Sequence, residues 1–227
     1  MAELTKREEI SLAHQLEGIH ETIDELWEIA QSRENVAIFV DNSEIFEAIR
    51  NLPKTVLRGR RMDYIKLKEH LADSRNLGCA YFYFSEPQLP KIGFDMARKA
   101  AEKRETFYYA LERGGYFTIC VPQTQDFRAE ESFSVEPVSG DVIYDMCALS
   151  RMGKYDTFIL VAGDASYART VKRLRQDTGI TVEVAFFGSD CSPRLKEAAN
   201  HFTDLSESVD ELFMEVDKNA GFIKEEK

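Results

Sequence analysis

A chain of 227 residues with 44% hydrophobic residues is long enough for one generous domain with a sizeable core, which excludes a disordered chain. It contains no apolar run of about 18 residues, and its charged N-terminus lacks a signal-peptide core, so neither a membrane span nor a secretory leader is expected. A formal net charge of −11 repels a phosphate backbone at long range, which argues against a sequence-independent DNA coat but leaves room for a local basic patch. Cys79, Cys120, Cys147 and Cys191 form no CxxC and read as reduced thiols, so the expected location is the cytoplasm. His14, His20, His70 and His201 are too scattered to suggest a zinc motif.

The first element, over 5–31, reads as an amphipathic helix. Thr5 and Glu8 fit a capping box, and Leu12, Leu16, Ile19, Ile23, Leu26 and Ala30 recur at alternating steps of four and three. Such a seam either packs on its own domain or forms a homodimer arm. Residues 1–34 are therefore set apart from an α/β domain over 35–205, with a C-terminal helix and tail over 206–227. From Val36 onward, β-rich runs alternate with helical stretches. Strands are predicted over 36–40, 79–84, 116–121, 157–162 and 181–187. Helices are predicted over 61–75, 91–113, 141–152, 166–177, 192–200 and 207–218. Gly114 and Gly115 stop the second helix, Gly179 follows the fourth, and 122–139 reads as a loop with one hairpin. This alternation predicts a doubly wound, mainly parallel five-stranded sheet in the order 3-2-1-4-5.

Ligands of such sheets bind beyond the carboxyl ends of the strands. The first strand runs directly into Asp41 and the fourth into Asp164, on neighbouring strands. Asp141 opens the helix before the fourth strand, and Asp145 lies one turn further on the same face. Each of these acids could instead be a helix cap or a solvated face residue, and Glu44 could be an ordinary first-turn acid. Taken together, converging carboxylates would repel one another unless a cation neutralised them. All-oxygen donors suit Mg²⁺ or Mn²⁺, and a cation so held fits phosphodiester hydrolysis.

The same residues carry a family resemblance. Val36 to Asp41 is similar to the opening strand of NYN domains. Gly140 to Met146 (GDVIYDM) resembles their VDVxxxDM helix start. Tyr155 to Tyr167 (YDTFILVAGDASY) is similar to their yDtailvSGDgDf segment, and Ser192 to Phe202 resembles their closing helix. The match covers roughly 36–205 and is most similar to the LabA-like branch of the PIN-like nucleases. The resemblance implies a PIN-like Rossmannoid fold and Mg²⁺- or Mn²⁺-dependent cleavage of RNA by an endoribonuclease. It implies Asp41, Asp141, Asp145 and Asp164 as catalytic acids, with Asp41, Asp141 and Asp164 as metal ligands, and Glu44 could serve as a compensating ligand. This chain departs from the pattern at Glu44, where the family usually has Asn, and at Ser166 and Asn200, where it usually has Asp. A metal-dependent ribonuclease and a degenerate domain that only binds nucleic acid or protein are both compatible with those departures.

Two basic groups could meet RNA. Arg58, Arg60 and Arg61 surround Gly59, and Arg169, Lys172 and Arg173 share a helix face near Arg175. Each is either a solvated surface or a track for the RNA backbone. Tyr167 is either a base-stacking platform or core, and Tyr81, Phe82, Tyr83 and Phe84 read as a buried strand.

Overall fold

The computed structural model describes residues 33–57, 59–85, 94–121, 124–125, 133–134 and 138–215, together with Gln15, Gly18, Ile19, His20 and Thr22. The last five are helical, and Thr22 Oγ1 donates to the Gly18 carbonyl at 2.8 Å. The proposed capping box and every seam position except Ile19 lie outside the described residues.

In chain order the elements are β1 (Asn35–Asp41), α1 (Asn42–Asn51), α2 (Lys54–Leu57), β2 (Arg60–Met62), α3 (Tyr64–Ala72), β3 (Asn76–Ser85), α4 (Phe94–Arg113), β4 (Phe117–Val121), β5 (Thr124–Gln125) and β6 (Phe133–Ser134). There follow α5 (Ser139–Ser150), β7 (Thr157–Val161), a 3-10 turn (Ala165–Tyr167), α6 (Ala168–Thr178), β8 (Thr181–Phe186), α7 (Pro193–Ala198), β9 (His201–Asp204), a second 3-10 turn (Leu205–Ser208), α8 (Val209–Leu212) and β10 (Phe213–Glu215). The main sheet has six strands in the order β4-β3-β1-β7-β8-β9, and every pairing in it is parallel. Its central strands explain their own sequences. Val36 to Val40 and Phe158 to Val161 are uninterrupted apolar runs because both faces of β1 and β7 are covered. Val40 pairs with Val161, so the chain leaves both strands at the same edge.

The five expected strands occupy the expected order. The sixth, β9, is a correction to the strand count. The helix predicted over 192–200 stops at Ala198, because Asn200 is captured by β8. Its backbone N–H donates to the Val182 carbonyl at 2.7 Å, and its Oδ1 accepts from the Val182 N–H at 2.9 Å. Two further helices are also corrected. The one predicted over 61–75 begins only at Tyr64, where the Asp63 side chain accepts from the Ile65 and Lys66 N–H groups. Residues 60–62 instead form β2, antiparallel to β10. That pairing replaces the helix predicted over 207–218 with a 3-10 turn, one short helix and a strand. α1, not expected from the sequence, buries Ile45 and Ala48 one turn apart. Two glycines are required by the chain path. Gly179 ends α6 with φ 74°, and a Cβ on Gly163 would lie 2.4 Å from the Phe186 ring.

Candidate functional site

Asp41 ends β1 and starts α1. Its Oδ1 accepts from the N–H groups of Ser43 (3.0 Å) and Glu44 (3.4 Å), the ordinary geometry of an N-cap. Its Oδ2 accepts from the Tyr167 hydroxyl at 2.7 Å. Only 2% of Asp41 is exposed, and burial pushes its carboxyl above the usual range despite these hydrogen bonds. The Tyr167 phenol is raised as well, first by burial and then by the facing Asp41. Tyr167 is fully buried, so it is core rather than a platform for bases.

Glu44, on the first turn of α1, reaches across to the end of β7. Its Oε2 accepts from the Gly163 N–H and, at 2.8 Å, from the Asp164 N–H. Burial, then the nearby Asp41 charge, with a smaller push from Asp164, raises its carboxyl to about 7. Asp164 is exposed, and its Oδ1 accepts from the Ser166 N–H at 2.6 Å. The backbone of Ser166 thus serves Asp164, whatever its side chain lacks in charge.

Above these groups lies an open cleft of about 460 Å³, lined by Glu44, Glu47, Asp164, Asp190 and Cys191 among others. Burial holds the Cys191 thiol up at about 11. Among the described residues, none of the acids Asp41, Glu44, Glu47, Asp164 and Asp190 is ion-paired. Glu47 and Asp190 are missing from the sequence-based site. Glu47 lies one turn beyond Glu44 on the unexpected α1, and Asp190 is in the turn after β8, where the rule of acids following strands would have found it.

Asp141 and Asp145 do not line this cleft. Asp141 is exposed on the first turn of α5, and Asp145 accepts from the Tyr83 hydroxyl at 2.8 Å. Asn200 is at the opposite, amino-terminal edge of the sheet, beside Val182. Its lack of charge therefore removes nothing from the acid cleft. Asp204, which ends β9 at the carboxyl edge, accepts from the Gly188 and Ser206 N–H groups, each at 2.9 Å. Burial pushes its carboxyl up, but these bonds and the Lys196 charge outweigh that and hold it below the usual value.

The donor set fits a hard divalent cation in its chemistry: the acids offer oxygen atoms, they repel one another, and among the described residues no cation of the protein is ion-paired with them. It is not preassembled. Among the described residues, no three His, Cys, Asp or Glu side chains are arranged to hold a metal ion, and both oxygens of Asp41 are engaged.

The expected basic residues separate. Arg58 lies outside the described residues. Arg60 is a structural brace, bonded to Asp210 at 2.8 Å and to the carbonyls of Val56 and Leu57. Arg61 is exposed on β2. Arg169 and Lys172 line a second cleft, of about 640 Å³, which Arg173 does not line. Among the described residues no helix is long and apolar enough to cross a membrane.

The comparisons with known proteins agree with this architecture. A crystal structure of a Vibrio parahaemolyticus protein of unknown function superposes with a TM-score of 0.61 at 20% identity, covering 80% of this chain and 97% of that one. It shares the fold. No curated protein matches the sequence. The family model of the NYN domain matches residues 35–207, from the first residue of β1 into the second 3-10 turn. The chain therefore belongs to the NYN domain family, part of the PIN-like nuclease superfamily.

Proposed function

We propose that this protein is a metal-dependent endoribonuclease that hydrolyses RNA at the acid cleft. The observation that carries the reading is the convergence of Asp41, Glu44 and Asp164 where β1 and β7 end, with no cation ion-paired to them among the described residues. Glu44 and Asp164, with Asp41 beneath and Glu47 and Asp190 on the walls, would hold Mg²⁺ or Mn²⁺. Asp141 and Asp145 are assigned supporting roles from the adjoining helix. A cation bound there would lower the pKa of a water and stabilise charge on the phosphoryl group. Glu44 Oε2 is anchored by two backbone N–H groups, which leaves Oε1 to meet the cation.

The test is Mn²⁺-dependent cleavage of a labelled RNA by the purified protein. Asp41→Asn and Asp164→Asn should each abolish it, and unchanged cleavage in both would refute the assignment. A second reading, a domain that binds nucleic acid or protein without cutting, is favoured by one observation: Tyr167 and the α1 backbone occupy both oxygens of Asp41. Robust turnover that is lost in the two Asp variants would exclude it. We further propose that the protein works in the cytoplasm and that residues 1–34 form a homodimer arm. Deleting 1–31 should then lower the oligomeric mass in solution, and an unchanged monomer would reject the arm.

A further inference from the structure

We infer that the cleft between α6 and α7 is a binding groove for the phosphodiester backbone of single-stranded RNA, leading into the acid cleft. This inference rests on the nuclease reading of the acid cleft for its direction, though not for its chemistry.

The groove is cationic on both walls. Arg169 and Lys172, one turn apart and exposed, come from α6, and Arg194, also exposed, comes from α7. None of the three is in an ion pair among the described residues, although the chain as a whole is strongly acidic. A fourth cation, Arg175, is held in place. Its Nη1 donates to the carbonyls of Ala198 and Ala199 at the end of α7, and its Nε is buried without a hydrogen-bond partner. A guanidinium held by carbonyl dipoles, and in no ion pair among the described residues, adds a positive potential that solvent screens poorly. Glu197 is the one acid in the lining. Gln176 and Asn200 close the far end with polar groups that suit phosphate and sugar oxygens.

The shape argues for a strand rather than an isolated anion. From Ala168 to Gln176 the α6 wall runs about 12 Å, at the helical rise of about 1.5 Å per residue. That length suits several consecutive phosphates. Two packed helices leave a cleft too narrow for a duplex. The near end adjoins the acid cleft: Ala165 and Pro193 line the acid cleft, Ala168 and Arg194 line the groove, and the first 3-10 turn packs against α7. A backbone seated in the groove would therefore deliver its next phosphate toward Asp164. The geometry replaces Arg173 and Arg60 with Arg194 and Arg175 as the cations that matter.

The experiment is fluorescence anisotropy of a labelled uridine dodecamer with the full chain, in EDTA so that cleavage does not interfere. The Arg169→Gln/Lys172→Gln double variant should bind at least 10-fold more weakly, and its salt-dependence slope should fall by roughly 1.4, the value for two lost phosphate contacts on a single strand. Arg194→Glu should weaken binding similarly, whereas Lys99→Glu on α4 should not. Thermal melts confirm folding. No binding by the wild type, or equal binding by the groove variants, would overturn the groove. Full competition by millimolar inorganic phosphate, with no gain from a dinucleotide to the dodecamer, would also overturn it in favour of a free-anion site. RNA binding that depends on the groove in a protein that never cleaves would retain the groove and refute the nuclease instead.

Discussion

The two edges of the central sheet handle charge in opposite ways. At the amino-terminal edge several polar groups meet partners of complementary kind. The Asn35 N–H donates to Asp156 at 2.8 Å, the Asn76 side chain donates to Asn35 at 2.6 Å, and Thr157 donates to Glu34. Arg75 joins Glu183 at 2.8 Å and also donates to the carbonyls of Leu71 and Ala72. At the carboxyl-terminal edge, Asp41, Glu44 and Asp164 meet with only N–H and O–H donors, and Glu44 is pushed to about 7. One edge is internally neutralised and serves stability. The other holds Asp41, Glu44 and Asp164 with no ion-paired cation among the described residues, a cost that makes sense where an external cation is to be bound.

Four substitutions or conditions sharpen that contrast. Glu44→Gln should have the largest effect. Its amide oxygen can keep the Gly163 and Asp164 N–H groups satisfied, so the fold survives. Cleavage should nonetheless fall roughly 100-fold or more in a Mn²⁺-dependent RNA assay. The same change should raise unfolding free energy at pH 8 in EDTA by roughly 1–3 kcal/mol, because a carboxylate disfavoured in the folded state has been removed. Arg75→Met should do the reverse. Urea titration should show a loss of about 2–3 kcal/mol, since Glu183 loses its partner, while Mn²⁺ affinity measured calorimetrically stays the same. If Arg75→Met weakened metal binding as much as Glu44→Gln, the division between the edges would be wrong.

Tyr167→Phe sits between these cases. It leaves the buried Asp41 Oδ2 without its donor, so stability should drop by about 1–3 kcal/mol. The freed oxygen should tighten Mn²⁺ binding, read by paramagnetic resonance, and weaker binding would show that Tyr167 instead orients Asp41 for the cation. The fourth test is pH. The Glu44 carboxyl is raised from 4.5 to about 7 in the fold, and Asp41 is raised as well. In EDTA the folded state then holds more protons than the unfolded one. Its extra stability is complete below about 4.5 and is lost as pH rises through about 7. Melting temperatures across that window should fall in EDTA and recover when Mn²⁺ is added. A flat profile would mean that Glu44 is not desolvated.

How much of this is legible in the sequence depends on how local the cause is. The ends of β1 and β7 can be read because Asp41 and Asp164 directly follow apolar runs, and a parallel sheet places those ends together. α1 could have been read too: Ile45, Ala48, Ile49 and Leu52 have helical spacing, and Asp41 is a competent cap. β9 and the β2–β10 pair could not. They are three or four residues long and exist only through partners far along the chain, such as Val182 for Asn200 and Met62 for Phe213. The engagement of Asp41 by Tyr167 spans 126 positions and turns on one hydroxyl, at a place where the family motif has Phe. The sequence marks both residues and conceals that they touch.

The central claim is that the acids at the carboxyl edge form a divalent-cation site. A crystal soaked in Mn²⁺, with anomalous data collected, tests it most directly. The account predicts an anomalous peak in the acid cleft, coordinated by Asp164 and Glu44, with Tyr167 displaced from Asp41 or sharing it. A cleft free of manganese at saturating Mn²⁺, with Glu44 still on the Gly163 and Asp164 N–H groups, would contradict it.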